Sequence, residues 1–162
     1  MRRVVLLAIL ILVCAGQARA DVTRFEWPLR PPSVVRVFDA PRPDWRPGHR
    51  GVDLAGSSGQ PVLAAGPGTV VFAGRVAGKQ VVSIAHPGGL HTSYEPVQPQ
   101  VGAGQRVNGG DVIGRLLPEH PGCAVTACLH WGAMWGPASA ADYVDPLGLL
   151  SSMPIRLKPA QR

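Results

Sequence analysis

From Val34 onward, short apolar runs rich in β-branched residues recur along the chain, each closed by glycine or proline. Period-two or fully apolar runs of this length, bounded by turn residues, predict strands. They fall at Val34–Phe38, Val52–Ala55, Pro61–Ala64, Thr69–Val76, Gln80–His86, His91–Pro96, Gln105–Val107, Val112–Leu117 and Leu129–Met134. Turn signals separate them: Gly56-Ser57-Ser58-Gly59, Gly66-Pro67-Gly68, Ala77-Gly78-Lys79, Pro87-Gly88-Gly89 and Asn108-Gly109-Gly110. No segment after the N-terminal stretch keeps a 3.6-residue apolar period for three turns. The pattern predicts an all-β fold, a compact antiparallel sandwich or barrel of short strands.

The two ends read differently. Arg2 and Arg3 precede an apolar run from Val4 to Ala15, and Ala18-Arg19-Ala20 offers the small residues of a cleavage site. Residues 1–20 therefore read as a secretory signal peptide and stand apart from the fold. The run is short for a membrane span, which needs about 20 residues. An uncleaved anchor is the alternative, and lipidation at Cys14 is disfavoured by Val13 before it. Residues 21–47 form a Pro-rich lead-in, 48–150 the folded domain, and 151–162 a loose polar tail. The expected location is extracytoplasmic, secreted or in the cell envelope, with no stable membrane insertion after cleavage.

Composition narrows the function classes. With 20 Gly and 17 Pro in 162 residues, a helical protein is excluded. Losing Arg2, Arg3 and Arg19 with the signal lowers the formal charge from +6 to +3. No Lys/Arg stripe and no aromatic–basic interleaving marks a nucleic-acid partner. A mildly basic chain suits an anionic wall surface. Cys123 and Cys128 remain after cleavage, and two close cysteines in an exported chain pair readily. The alternative is a Cys128 thiolate that binds metal.

The chemistry concentrates in two segments. Gly48-His49-Arg50-Gly51-Val52-Asp53 carries an imidazole and a carboxylate, both good zinc ligands. On an ideal strand they would lie about 13 Å apart. Two ligands at about 2 Å from one zinc require a bend, and Pro47, Gly48 and Gly51 make one accessible. Alone, such a pair is ordinarily a polar surface feature. The second segment, Ala127-Cys128-Leu129-His130-Trp131-Gly132, brings His130. A histidine between Leu and Trp is ordinarily a core or surface residue. Together, His49, Asp53 and His130 make the three-ligand set of a catalytic zinc that leaves its fourth position open.

These residues resemble a known family. His49-Arg50-Gly51-Val52-Asp53 is similar to the HxxxD motif of the LytM/lysostaphin-type M23 metallopeptidases, and Leu129-His130-Trp131 resembles the end of their HxH motif. Pro61–Gly66 with Gly68–Gly74 resembles the family's "pV.A..dGtV..aG" core. Val101-Gly102, Val107 and Gly110–Gly114 resemble its "v.vGq.V..Gq.iG" hairpin. The likeness runs from about Pro28 to about Leu150, with four motifs in order. It implies a LytM-like fold of the duplicated-hybrid-motif type, one Zn2+ on His49, Asp53 and His130, and cleavage of peptidoglycan cross-bridges. Peptidoglycan, and other wall hydrolases, are the implied partners.

Two positions depart from the family pattern. Cys128 stands where the first histidine of HxH belongs, and Tyr94-Glu95-Pro96 replaces "Y.H". The missing histidines are the ones that orient water and stabilise the oxyanion in the family. His120, Glu95 and Tyr94 are the candidates to replace them. His120 would fold back over the metal; its alternative is an exposed loop residue. Glu95 would act from the adjacent strand; its alternative is a solvent-facing edge residue. Tyr94 would donate a hydrogen bond. His86 and His91 read as surface residues. Two rivals to the enzyme remain: a pseudoenzyme that binds wall peptide or regulates a partner hydrolase, and a structural β module with incidental histidines.

Overall fold

The computed structural model describes residues 24–43, 45–118, 120–123 and 125–151. The expected signal segment, residues 1–20, and nearly all of the tail lie outside the described residues. The elements are β1 (Val34–Arg36), β2 (Gly51–Gly56), β3 (Pro61–Leu63), β4 (Gly68–Val76), β5 (Lys79–Ala85), β6 (Leu90–Glu95), β7 (Val97–Pro99), β8 (Arg106–Val107), β9 (Val112–Leu116), β10 (Ala127–Trp135), β11 (Asp142–Val144) and a single-turn α1 (Leu147–Leu150). All nine expected strands form. Two further ones, β7 and β11, lie where prolines (Pro96 and Pro99, and Pro146) interrupt the apolar pattern. Among the described residues, no helix is long and apolar enough to cross a membrane.

Eight strands pair antiparallel in the order β1-β2-β10-β6-β5-β4-β8, with β11 also on β10. A second, three-stranded sheet has the order β3-β9-β7. Alternation decides which side chains meet between the sheets. Val52 and Leu54 of β2, Leu129 and Trp131 of β10, Tyr94 of β6, and Val82 and Ile84 of β5 are fully buried. Val62, Val97, Ile113 and Leu116 of the small sheet join the same core cluster. The Pro-rich lead-in does more than approach the domain. Leu29 is fully buried, and Phe25 and Trp27 pack on the core.

The opposite face of the large sheet carries Asp53, His130 and Glu95. Asp53 of β2 pairs with His130 of β10, and His130 pairs with Glu95 of β6. Directly opposed residues share a face, so register alone draws this polar row across three strands. One residue along, Val52, Trp131 and Tyr94 pair in the same way and point into the core.

Candidate metal centre

His49 sits just before β2, where the expected bend occurs. Its backbone is held by an isolated bridge to Asp39, with Asp39 N–H donating to His49 O at 2.8 Å. Gly48 makes the close approach possible: a Cβ there would come within 2.5 Å of Pro41 Cδ and 2.6 Å of Asp39 O. The bend swings the His49 ring back over β2. Its Nε2 lies 2.9 Å from Asp53 Oδ1 and 3.0 Å from His130 Nδ1, and His130 Nδ1 lies 2.9 Å from Asp53 Oδ1. His49, Asp53 and His130 are the one such group of possible metal ligands among the described residues.

The surroundings suit a cation. The Val37 carbonyl accepts from Nδ1–H of His49 at 2.8 Å, so Nε2 presents its lone pair to the triangle. Burial works to raise the Asp53 carboxyl. The hydrogen bond with His130 and the charges of His120, His130 and His49 outweigh it and hold the group below its usual value. Two ring nitrogens and a carboxylate oxygen thus converge in a buried pocket that needs positive charge at its centre. Ligand atoms around a tetrahedral zinc lie about 3.3 Å apart, given bonds of about 2.0–2.1 Å, close to the spacing here. The donor set fits one zinc.

Gly51 and Gly132 are paired beside this triangle. A Cβ at Gly51 would lie 2.5 Å from Trp131 O and 2.6 Å from His130 Nε2. The His130 ring therefore lies over a position only glycine can occupy.

His120 does fold back over the centre. Its Nε2 is 3.5 Å from Asp53 Oδ1, and its ring stacks on that of His130 at 6.0 Å and 14°. The side chain is nearly buried, not an exposed loop residue. Burial lowers its pKa, with Asp53 pulling the other way. The Cys123–Cys128 disulfide, with Cα atoms 5.7 Å apart, ties this loop to β10 two residues before His130. Cys128 is therefore bonded to sulfur, not available as a thiolate ligand. Glu95 lies opposite His130 at the end of β6, its Oε1 accepting from Lys79 Nζ at 2.8 Å.

Tyr94 is a correction. Its side chain is fully buried on the core face, away from the metal triangle. The hydroxyl accepts from Ala65 N–H at 2.9 Å and lies 2.9 Å from Thr92 Oγ1. Burial pushes its pKa up to about 12. Neighbours on a strand point to opposite faces, so Glu95 and Tyr94 cannot both line the site. His86 is a second correction: it is 6% exposed, not a surface residue. The turn after β5 folds it inward, where Nδ1–H donates to Pro67 O at 2.8 Å and Nε2 lies 2.7 Å from Thr92 Oγ1. His91 is half-buried, with Nδ1 shielded and unpaired within the protein.

The sequence model of peptidase family M23 matches residues 47–146, which span the whole triangle. The chain belongs to peptidase family M23. Uncharacterised proteins of Mycobacterium tuberculosis and Mycobacterium bovis are 66% identical over 98% of this chain. The chain spans 66% of their length. Among solved structures, Csd3 of Helicobacter pylori is 26% identical, with a TM-score of 0.63 over 80% of this chain and 35% of that one. The antimicrobial peptidase lysostaphin from Staphylococcus simulans shares the fold at 24% identity and a TM-score of 0.62, over 74% and 50% of the two chains. A zinc-containing peptidase from Vibrio cholerae shares it at 20% and 0.61, over 80% and 40%.

Within this M23 domain, three contributors went unread in the sequence. Lys79 stood in a turn signal, yet its ammonium reaches Glu95. The Val37 carbonyl that orients His49 is a backbone group, and no side-chain motif reports it. Gly132 reads as an ordinary strand glycine until its pairing with Gly51 is known.

Proposed function

We propose that this M23 chain is a zinc metalloendopeptidase that acts on peptidoglycan peptide cross-bridges outside the cytoplasm. The observation that carries the reading is the triangle of His49 Nε2, Asp53 Oδ1 and His130 Nδ1, with all three separations at 2.9–3.0 Å. Zinc held there supplies Lewis-acid polarisation of a peptide carbonyl and activation of water.

The remaining work falls to the chain's own groups. His49 is held in the ligating tautomer by Val37 O. Asp53 stays ionised. His120 is the titratable side chain nearest the centre that is not one of the three ligands. In this reading it takes the place of the missing histidines, accepting a proton from water and passing it to the leaving amine. Glu95, paired with Lys79, contributes charge beside His120. Gly51 makes room for the His130 ring, which lies over it.

A second reading has its own support. Cys128 and Pro96 occupy both family histidine positions, and Cys128 is locked in a disulfide. A catalytically impaired domain that binds wall peptide, or regulates a partner hydrolase, would keep the same triangle. Incubating zinc-loaded protein with purified peptidoglycan decides between them. New amino termini within the cross-bridges are expected; intact peptidoglycan bound by the protein would support the second reading and overturn the first.

A further inference from the structure

The register of the large sheet places a lane of small residues beside the metal row. Gly51 pairs with Gly132, Gly132 with Ser93, Ser93 with Ser83, and Ser83 with Phe72. The lane crosses β2, β10, β6, β5 and β4 on the face that carries Asp53, His130 and Glu95, because Gly51, Gly132 and Ser93 lie two residues from them. Its two glycines and two serines carry no large side chain of their own; the His130 ring lies over Gly51 at one end, and Ser93 and Ser83 line the recess at the other.

The lane ends in a recess of about 260 Å³. Val71, Phe72, Met134 and Pro137 wall it, and Ser83, Ser93 and His91 contribute polar groups. An irregularity in β4 between Val70 and Phe72 lets two consecutive residues, Val71 and Phe72, line the same opening. Both are substantially exposed for apolar side chains, at 49% and 38%. A dry cavity of about 150 Å³ holds a benzene ring, so the space admits a branched aliphatic or aromatic side chain. No Lys, Arg, Asp or Glu lines it. His91 also lines it, with its Nδ1 shielded and unpaired within the protein.

We propose that this recess is a subsite for an uncharged apolar side chain of the same peptide whose carbonyl reaches the metal triangle. The proposal rests on the peptidase reading for its occupant, and on continuity of one sheet face for its place. Met134 lies four residues beyond His130 on β10, about 13 Å along the strand. An extended peptide advances about 3.4 Å per residue, so the side chain taken belongs roughly three or four residues from the scissile bond. Selectivity follows from the walls: burying a leucine side chain is worth about 1.5–3 kcal/mol, and an unpaired charge would lose its hydration there.

Met134 supplies its own reporter. The other two methionines, Met1 and Met153, lie outside the described residues. The full chain labelled at its methionine methyls with carbon-13 is titrated by NMR, with Met134→Leu assigning the signal. The probes are acetyl-Gly-Gly-Gly-Leu-amide and acetyl-tetraglycine-amide. The Met134 methyl is expected to shift and saturate with the leucine peptide at least about tenfold more tightly than with tetraglycine. The preference should persist in metal-free protein, vanish in Ser83→Phe, which fills the recess, and weaken in Phe72→Ala. Equal affinity for the two probes, or a preference unchanged in both variants, overturns the subsite. So does a signal that moves on diluting the free protein, which puts a second copy there. Selective binding without peptidoglycan cleavage would defeat the peptidase reading and leave the subsite standing. Cleavage without selective binding would do the reverse.

Discussion

Asp53 and His130 face each other across β2 and β10, Oδ1 to Nδ1 at 2.9 Å, as a directly opposed antiparallel pair. Their spacing is therefore set by the sheet and not by loop conformation. His49 alone must be delivered by a bend. Wild-type protein is expected to bind one zinc per chain. His49→Ala, Asp53→Ala and His130→Ala should each weaken binding more than the ~10–100-fold that losing a supporting partner costs. Metal content and competition with a chelator check this; full zinc occupancy in His130→Ala would remove the site.

Gly51→Ala tests the packing around His130. The new Cβ would meet a backbone oxygen at 2.5 Å and the imidazole at 2.6 Å, and the backbone cannot yield cheaply. A loss of about 1–3 kcal/mol in stability is expected from overpacking, with zinc affinity falling because His130 is displaced. Denaturant unfolding and zinc titration measure the two effects; unchanged values in both would mean the ring does not lie over Gly51.

His120→Ala separates proton transfer from metal binding. Turnover on peptidoglycan should fall about 10²–10⁴-fold, with zinc content unchanged. Glu95→Gln should act mildly, since its pair with Lys79 is partly exposed and such pairs are worth about 0–1 kcal/mol. Full activity in His120→Ala would exclude the role.

Reducing the Cys123–Cys128 bridge should release the His120 loop. The loop closed is short, so the global loss is roughly 2 kcal/mol. Activity should drop by a larger factor than that of a stability-matched core variant assayed under the same conditions. An active reduced protein would show that the bridge does not position His120.

His86 links stability to pH. Ala65 N–H donates to Tyr94, and Thr92 bridges Tyr94 to His86 Nε2 while His86 Nδ1–H donates to Pro67 O. A neutral imidazole completes this chain. Burial lowers the His86 pKa, with the Pro67 bond opposing and His91 adding to the fall. The unfolded chain then takes up the proton first, so the contribution is intact above about pH 6.5 and is lost as pH falls below it. Thermal unfolding between pH 8 and 5 should show this slope, reduced in His86→Asn; an equal slope in both proteins would assign it elsewhere.

The sequence by itself pointed to the strands and to the three candidate ligands. Each strand is a local alternation closed by glycine or proline, and His49 and Asp53 sit four residues apart, a spacing that local geometry constrains, whereas His130 meets them only through the pairing of β10 with β2. Val97–Pro99 and Asp142–Val144 were not legible, because Pro96 and Pro99 read as breaks around the first and Asp142 and Pro146 bracket the second, and each is strand only through its neighbours β9 and β10. Tertiary structure decided the rest. Whether Glu95 or Tyr94 faces the metal depends on the register of β6 against β10, and one residue of slip exchanges them. Whether His86 is a surface group depends on which backbone carbonyl meets it after the turn. The position of His120 over Asp53 depends on a loop carried back across the sheet and tied at Cys128. These are contacts between residues far apart in the chain, and no local pattern encodes the distance between them.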